Sequence, residues 1–344
     1  MARPGVLDLL RRPLVVAPMA GGPSASELVI AAAGAGAVGF LAAGYKAPAA
    51  MAAEVAAVRA GTAEPFGVNV FVPGTPSADA AAILEYLGSL RASAEAVGAS
   101  PGEASWDDDG FGEKVACLLA DPPPIVSFTF GCPPAAVIAA LRHAGSLVAV
   151  TVTSPGEAAI AAAAGVDALC VQGYEAGAHR GTFANDGVAG QDYGLLTLIG
   201  EIAAVTALPQ IAAGGIMGPR QVDAVLAAGA VAAQCGTAFL RCPESGAHPV
   251  HKAALADARY AMTTLTRAFS GRWARGLVNQ FVLRHADAPA AYPEINNATR
   301  PLRAAAAARG DPEKMSLFAG QGFRAAADRP AGEIVEWLCS RRAR

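Results

Sequence analysis

Residues 210–240 read QIAAGGIMGPRQVDAVLAAGAVAAQCGTAFL, and this stretch decides the fold class. QIAA (210–213) and AVAAQC (230–235) are short apolar runs of the kind that form buried strands. The segment between them has the apolar spacing of an amphipathic helix. A strand, a helix and a second strand in so few residues form the repeating unit of a parallel sheet. The pattern therefore predicts an α/β protein.

Six further apolar runs precede this unit, each set off by nearby glycine or proline. They are LVVA (14–17), VGFLA (38–42), FGVNV (66–70), IVSFT (125–129), LVAVTV (147–152) and DALCV (167–171). Strands buried on both faces are expected to be continuous apolar runs like these. Eight such strands, most of them separated by alanine-rich helical stretches, predict a (β/α)8 TIM barrel.

The spacing of the strands also predicts how the 344 residues divide into domains. Residues 1–240 are expected to form the barrel, and residues 241–311 a smaller helical substrate domain that caps it after the eighth strand. Residues 312–344 would bring a C-terminal helix back to the barrel. The long interval between the third and fourth strands is expected to hold an additional helix near residues 113–119.

Composition and charge exclude several function classes. The formal net charge is −3, which gives no general electrostatic reason to bind nucleic acid. The longest uncharged apolar run, residues 28–44, contains four glycines and is more typical of helix, turn and strand than of a membrane span. The six cysteines show no pairing or metal-ligand spacing, and the N-terminus lacks a signal peptide. We therefore expect no metal, reduced thiols and a cytoplasmic location.

The segment after the sixth strand contains the candidate catalytic residue. Residues 167–182 read DALCVQGYEAGAHRGT, and His179 lies there among closely spaced glycines. Barrel enzymes place their chemistry at this carboxyl end of the strands. His179 is therefore the catalytic candidate, against the alternative of a solvated loop histidine. Of the four other histidines, His285 in the cap is the next candidate.

Glycine turns follow the seventh and eighth strands. AGGI (213–216) leads into a helix, and QCGT (234–237) lies about twenty residues later. Such turns supply backbone N–H groups and a helix N-terminus, and they form the phosphate site common in barrels. We assign four residues to this site: Gly214, Gly215, Gly236 and Thr237.

The group that carries the phosphate is indicated by residues elsewhere on the barrel. APMAGG (17–22) offers a flat backbone surface after the first strand. The amides of Asn69 and Gln172 can pair with the alternating donors and acceptors of a flavin ring. No strand carries the lysine that pyridoxal phosphate would need. FMN is therefore favoured, while a sugar-phosphate isomerase or lyase remains open but leaves both amides without a role.

These segments together resemble the nitronate monooxygenase family, formerly called 2-nitropropane dioxygenases. The resemblance covers nearly the whole chain and implies a barrel that binds FMN, with a smaller helical substrate domain. It lies in APMAGG (17–22), GFLAAGYK (39–46), FGVNVF (66–71), VSFTFG (126–131), CVQGYEAGAHRG (170–181), QIAAGGI (210–216), QCGTAFL (234–240), YPEINNATRPLR (292–303) and FAGQGFR (318–324).

The resemblance also implies individual roles. His179 matches the catalytic histidine of the family. The other implied contacts are Ala17, Pro18 and Met19 near the reactive end of the flavin, Asn69 and Gln172 on the ring, Gly177 on the neighbouring backbone, and Gly215, Gln234, Cys235, Gly236 and Thr237 on the ribityl phosphate. Two positions depart from the family pattern, since Ala178 replaces a usual glycine and Phe318 a common indole.

The reaction that the resemblance implies is the oxidation of alkyl nitronates, such as propionate 3-nitronate, by O2. The products are a carbonyl compound and nitrite, formed through a flavin semiquinone, and the role would be nitroalkane detoxification. His179 could act as an imidazolium beside the anion or as a neutral base toward a nitroalkane. A homodimer is one candidate assembly. The alternative activity is an NAD(P)H-dependent flavin reductase acting on quinones or enoyl thioesters, although no G-x-G-x-x-G motif follows a strand.

Overall fold

The computed structural model describes residues 5–186 and 192–340. The strands are β1 (Leu14–Val16), β2 (Val38–Ala42), β3 (Phe66–Phe71), β4 (Ile125–Thr129), β5 (Leu147–Val152), β6 (Ala168–Gln172), β7 (Ala178–His179), β8 (Gln210–Ala213), β9 (Ala232–Cys235), β10 (Thr263–Thr266) and β11 (Ala274–Leu277). All strands of the main sheet are parallel, and they close into a barrel in the order β1-β2-β3-β4-β5-β6-β8-β9. The predicted (β/α)8 barrel is confirmed, and each barrel strand lies within two residues of its predicted run.

Helices alternate with the barrel strands as predicted, and further helices lie outside this alternation. They are α1 (Ser26–Gly34), α2 (Pro48–Gly61), α3 (Ala80–Glu95), α4 (Phe111–Ala120), α5 (Ala135–His143), α6 (Pro155–Ala163), α7 (Leu195–Ala203), α8 (Pro219–Ala227), α9 (Pro249–Ala254), α10 (Gln280–Arg284), α11 (Glu294–Ala308) and α12 (Ala331–Leu338). The start of α6 shows the local cause, because the Ser154 hydroxyl accepts a hydrogen bond from the backbone N–H of Glu157. The C-terminal helix α12 packs against α1 and α8.

The interval between β3 and β4 corrects one expectation. We expected the additional helix near residues 113–119, but that helix is α4, whose Val115 and Leu118 belong to the barrel core. The additional helix is α3, which packs on α11. Leu90 of α3 and Leu302 of α11 lie in a second hydrophobic core beside the barrel. The error arose because both helices have apolar faces, and only tertiary packing distinguishes them.

The segment after β9 also differs from the expectation of helices alone. It contains α9, α10 and α11, but also β10 and β11, which pair antiparallel with each other. Strand β11 pairs in turn with β7, so that Ala274 lies opposite His179. The small sheet therefore fixes the His179 loop to the segment that covers the barrel mouth. No helix within the described residues is long and apolar enough to cross a membrane.

Candidate active site

One cavity of about 390 Å³ lies at the carboxyl ends of the barrel strands. It is bounded by the barrel loops on one side and by residues of the segment 296–320 on the other. The structure brings all the predicted site residues together in its wall. These are Ala17, Pro18, Met19, Asn69, Gln172, Gly177, His179, Gly214, Gly215, Gln234, Cys235, Gly236 and Thr237.

The turn after β8 forms a backbone cradle that a side chain would fill. Gly214 and Gly215 have φ angles of 129° and 68°, in the region that favours glycine. A Cβ on Gly215 would lie 3.0 Å from Cβ of Glu175, and one on Gly214 would lie 3.2 Å from the backbone nitrogen of Ala176. The two glycines therefore expose bare backbone to the cavity shortly before α8 begins. This geometry fits an anion held by backbone N–H groups.

Thr237 completes the cradle from the turn after β9. Its hydroxyl oxygen accepts a hydrogen bond of 3.0 Å from the backbone N–H of Gly320. The hydroxyl proton is thereby left to donate to an anionic group. A Cβ on Gly177 would collide with the backbone of Ala319 and Gly320, so a glycine there allows the C-terminal segment to close over the cradle.

The two predicted amides each keep one hydrogen-bonding function for a ligand. Both protons of Asn69 Nδ2 are donated within the barrel, to Ser127 Oγ at 2.9 Å and Thr129 Oγ1 at 3.0 Å, so only Oδ1 can serve a ligand. Gln172 Oε1 accepts from the Gly181 N–H, and Nε2 donates one proton to the His179 carbonyl, which leaves one N–H. Asn69 therefore has a free acceptor and Gln172 a free donor, and both can form hydrogen bonds with the edge of a flat heterocyclic ligand.

The imidazole of His179 is fixed in one tautomer by Ser270. His179 Nε2 lies 2.8 Å from Ser270 Oγ. The single hydroxyl proton of Ser270 is donated to the carbonyl of Arg272 at 3.1 Å, so its oxygen accepts from Nε2–H. The lone pair of the ring therefore lies on Nδ1, where it can accept a proton.

Aromatic rings surround His179. The ring centroids of Phe130, Tyr292 and Phe318 lie 5.6, 5.7 and 5.3 Å from that of the imidazole. Burial, together with the charges of Arg272 and Arg303, lowers the pKa of His179 to about 3. The histidine is therefore neutral at physiological pH, which favours the base among the two roles that the sequence left open.

The same side of the cavity is positively charged. Arg300 and Arg303 line it, and the guanidinium of Arg272 lies 4.1 Å from the centroid of the Phe130 ring. Among residues 5–186 and 192–340, none of these arginines forms an ion pair with a carboxylate. Unpaired guanidinium groups beside an apolar wall attract a small anion.

His285, our second candidate histidine, does not line the cavity, and that expectation is wrong. Its Nε2 lies 2.9 Å from Ser93 Oγ of α3, and its ring packs on Phe281 with centroids 4.3 Å apart. It is a buried, hydrogen-bonded residue of the second core. His251 lines the cavity instead, and its buried Nε2 has no hydrogen-bond partner among the described residues.

Sequence reasoning did not single out five functional candidates: Ser270, Arg272, Tyr292, Arg300 and Arg303. Ser270 and Arg272 flank Gly271, whose φ is 75°, in the turn between β10 and β11. The sequence signal that could have indicated Ser270 and Arg272 is a polar turn that contains a glycine and directly precedes a strand. Their approach to His179 depends on the pairing of β7 with β11, which no local pattern indicates.

The two cysteines that line the cavity, Cys170 and Cys235, offer no alternative nucleophile, because burial raises the pKa of both thiols. All six cysteines are free thiols, and burial raises the pKa of Cys170, beneath the cavity, to about 11. Its sulfur accepts a hydrogen bond of 3.1 Å from Gln234 Nε2. A buried thiol with a raised pKa is unreactive. The described part of the chain contains no group of three or more His, Cys, Asp and Glu side chains that could hold a metal ion.

Comparisons with known proteins agree with this geometry. A family model for nitronate monooxygenases matches residues 4–341. The chain is 39% identical to a nitronate monooxygenase of Pseudomonas aeruginosa (96% of this chain, 95% of that protein) and 35% identical to a probable nitronate monooxygenase of Bacillus subtilis (96% of each).

Solved structures are similar over the same range. A nitroalkane oxidase from Streptomyces ansochromogenes superposes with a TM-score of 0.95 at 49% identity, covering 97% of this chain and 96% of that one. FabK from Thermotoga maritima superposes with a TM-score of 0.75 at 26% identity, covering 97% and 94%. The family match extends over almost every residue of the barrel and of the segment that covers it, and the chain belongs to the nitronate monooxygenase family.

Proposed function

We propose that this enzyme binds FMN in the barrel cavity and oxidises alkyl nitronates with O2 to a carbonyl compound and nitrite. The observation that carries the proposal is that His179 and the glycine cradle of Gly214 and Gly215 face one cavity. A redox cofactor held by its phosphate would thus lie within reach of the candidate base.

The described residues fit FMN. Its phosphate would be held by the backbone of Gly214, Gly215 and Gly236 and by the hydroxyl of Thr237, whose proton is available. Asn69 Oδ1 and the remaining N–H of Gln172 would pair with the ring. The chemistry that bound FMN supplies is removal of electrons from the nitronate and their transfer to O2.

The side chains above the cradle would bind and orient the substrate. A nitronate is an anion, and the guanidinium groups of Arg300 and Arg303 offer it charge that no carboxylate in the described chain neutralises. Phe130 and Phe318, whose rings pack around His179, give the same cavity an apolar wall. Such an environment strengthens electrostatic attraction and holds the reacting carbon in place.

His179 would act as a base when the substrate is a neutral nitroalkane. Its neutral imidazole can take the α-proton on Nδ1, because Nε2–H is held by Ser270. A preformed nitronate needs no such step. Ser270 is therefore proposed as the residue that keeps the reactive tautomer in place.

The proposal extends to the location and the assembly of the enzyme. We propose a cytoplasmic enzyme, which is supported by six cysteines that all stay unpaired. A homodimer is the candidate assembly. The proposed partners are a small nitronate or nitroalkane and O2, and the net charge of −3 gives no general electrostatic reason to bind nucleic acid.

The purified protein is expected to be yellow and to release stoichiometric FMN on heating. With propionate 3-nitronate and O2 it should release nitrite, measured by a colorimetric assay alongside oxygen consumption. A colourless preparation that takes up no FMN on reconstitution would contradict the proposal and favour a sugar-phosphate enzyme. A preparation that contains FMN but forms no nitrite would contradict the reaction alone.

A further inference from the structure

A second cavity adjoins the one that contains His179. It has a volume of about 330 Å³, and we call it the outer cavity; its wall includes Lys46, Pro48, Val72, Asp108 and Tyr292. Four residues line both cavities: Tyr45, Phe71, Asn296 and Arg300. The two spaces are therefore separated by only one layer of side chains.

The side chains of Tyr45 and Tyr292 form the barrier between the cavities. The Tyr292 hydroxyl donates to the Tyr45 hydroxyl at 3.1 Å. The Tyr292 ring lies 5.7 Å from the imidazole of His179, and the Tyr45 ring packs edge-on against Phe71 with centroids 5.5 Å apart. The barrier thus touches the candidate base on one side and the outer cavity on the other.

The backbone of Tyr45 is held in an unfavourable conformation. Its φ is 68°, in the left-handed region that a bulky side chain rarely adopts. The backbone N–H of Tyr45 donates to Asp109 Oδ1 at 2.9 Å, and Asp109 Oδ2 lies 2.7 Å from Nζ of Lys114, a fully buried lysine. Strain of this kind persists only where the surroundings impose it, and here a buried ion pair does so.

Two of the three other non-glycine residues with positive φ among the described residues lie on the same wall. Phe130 and Ala178, with φ angles of 77° and 60°, line the main cavity, and the third, Asp109, holds Tyr45. Every non-glycine residue with a positive φ within the described ranges therefore lies around this barrier and His179.

We propose that Tyr45 limits the length of the substrate, and that the Asp109–Lys114 ion pair holds Tyr45 in position. The barrier confines substrates to the space over the cradle, which bound FMN would already largely fill, so short nitroalkanes and nitronates are preferred. Without the Tyr45 ring the two cavities become continuous, and an alkyl tail can extend along Phe71 and Val72. This inference rests on the proposed function for the identity of the substrate.

Tyr45→Ala tests the barrier directly. The ratio of kcat/KM for 1-nitrohexane to that for nitroethane is expected to rise tenfold or more, since each methylene moved from water into an apolar site favours binding by about fourfold. Tyr45→Phe, which keeps the ring and loses only the hydroxyl pair, should leave the ratio within about twofold. An unchanged ratio in Tyr45→Ala would overturn the proposal.

Asp109→Asn tests whether the Asp109–Lys114 ion pair positions Tyr45. It removes the carboxylate that pairs with Lys114 and should shift the chain-length ratio in the direction of Tyr45→Ala. Asp108→Asn is the matched control, because Asp108 lines the outer cavity but accepts its hydrogen bond from Gly110 and not from Tyr45. Equal ratios in the two variants would overturn the role of Asp109. If Asp109→Asn does not fold, the Lys114→Met variant of the same pair gives the comparison.

A measurement without turnover separates this inference from the proposed function. Crystals of wild type and of Tyr45→Ala soaked with 1-bromohexane are expected to show ligand density that extends through both cavities in the variant only, with the single bromine peak marking one end of the chain. Wild type that forms no nitrite from any nitronate would contradict the proposed function, while the extent of the ligand density would still decide whether Tyr45 separates the cavities. Density confined to one cavity in both proteins would overturn the barrier even if nitronate oxidation is observed.

Discussion

His179→Asn is expected to lower kcat/KM for a neutral nitroalkane by about 10²-fold or more, in the range that a general base contributes. Asparagine cannot take a proton, whereas the neutral imidazole of His179 carries a lone pair on Nδ1. FMN content should be unchanged, because His179 is on a different loop from the cradle that follows β8. Steady-state rates with nitroethane and flavin absorbance per chain provide the two measurements.

The same variant separates the proton-transfer role from a purely electrostatic one. With a preformed nitronate no proton is removed, so the loss should be much smaller than with nitroethane. His143→Asn is the matched control, because His143 is an exposed histidine at the end of α5. Full activity of His179→Asn on both substrates would show that the active site has been placed wrongly.

Gly215→Asp is expected to abolish FMN binding. The φ of 68° at this residue disfavours any side chain, and a Cβ would lie 3.0 Å from that of Glu175. The added carboxylate would also repel the phosphate at short range. FMN content after purification and quenching of flavin fluorescence on titration measure the loss.

The control for backbone strain is Gly229→Asp. Gly229 also has a positive φ, of 107°, but a Cβ there meets nothing within 4 Å and the residue is exposed. That variant should lose some thermal stability and keep its FMN. Retention of FMN by Gly215→Asp would mean that the phosphate lies elsewhere.

The barrel and its cradle could be predicted from the sequence because their signals are local. Each barrel strand is a mainly apolar run, and the glycines at 214 and 215 follow one of them directly. The start of α6 is equally local, since the Ser154 hydroxyl accepts a hydrogen bond from the N–H of Glu157 within a single turn. Residues on different strands met in one cavity because all parallel strands of a barrel end at the same face.

The partners of His179 could not be predicted, because they depend on pairings between distant parts of the chain. Ser270 lies 91 residues from His179 and reaches it only through the pairing of β7 with β11. The role of His285 was misjudged for a similar reason, since its partner Ser93 belongs to α3, which was not predicted to pack on the cap.

The protonation state of His179 also required the structure. An isolated histidine titrates near 6.5, which leaves both the cation and the neutral base available at physiological pH. Burial and the nearby charges of Arg272 and Arg303 lower that pKa, and these arginines lie 93 and 124 residues away in the sequence. The sequence pattern identifies a histidine at position 179, but it does not show the burial and the neighbouring charges that set the pKa of its side chain.

Anaerobic mixing of the FMN-loaded enzyme with propionate 3-nitronate tests most directly whether the site is built to take electrons from a nitronate. We expect the visible absorbance of the bound flavin to decay rapidly with the nitronate and to remain essentially unchanged with NADH. The opposite result, rapid loss of the flavin absorbance with NADH and no response to the nitronate, would contradict nitronate oxidation and identify the protein as an NAD(P)H-dependent flavin reductase.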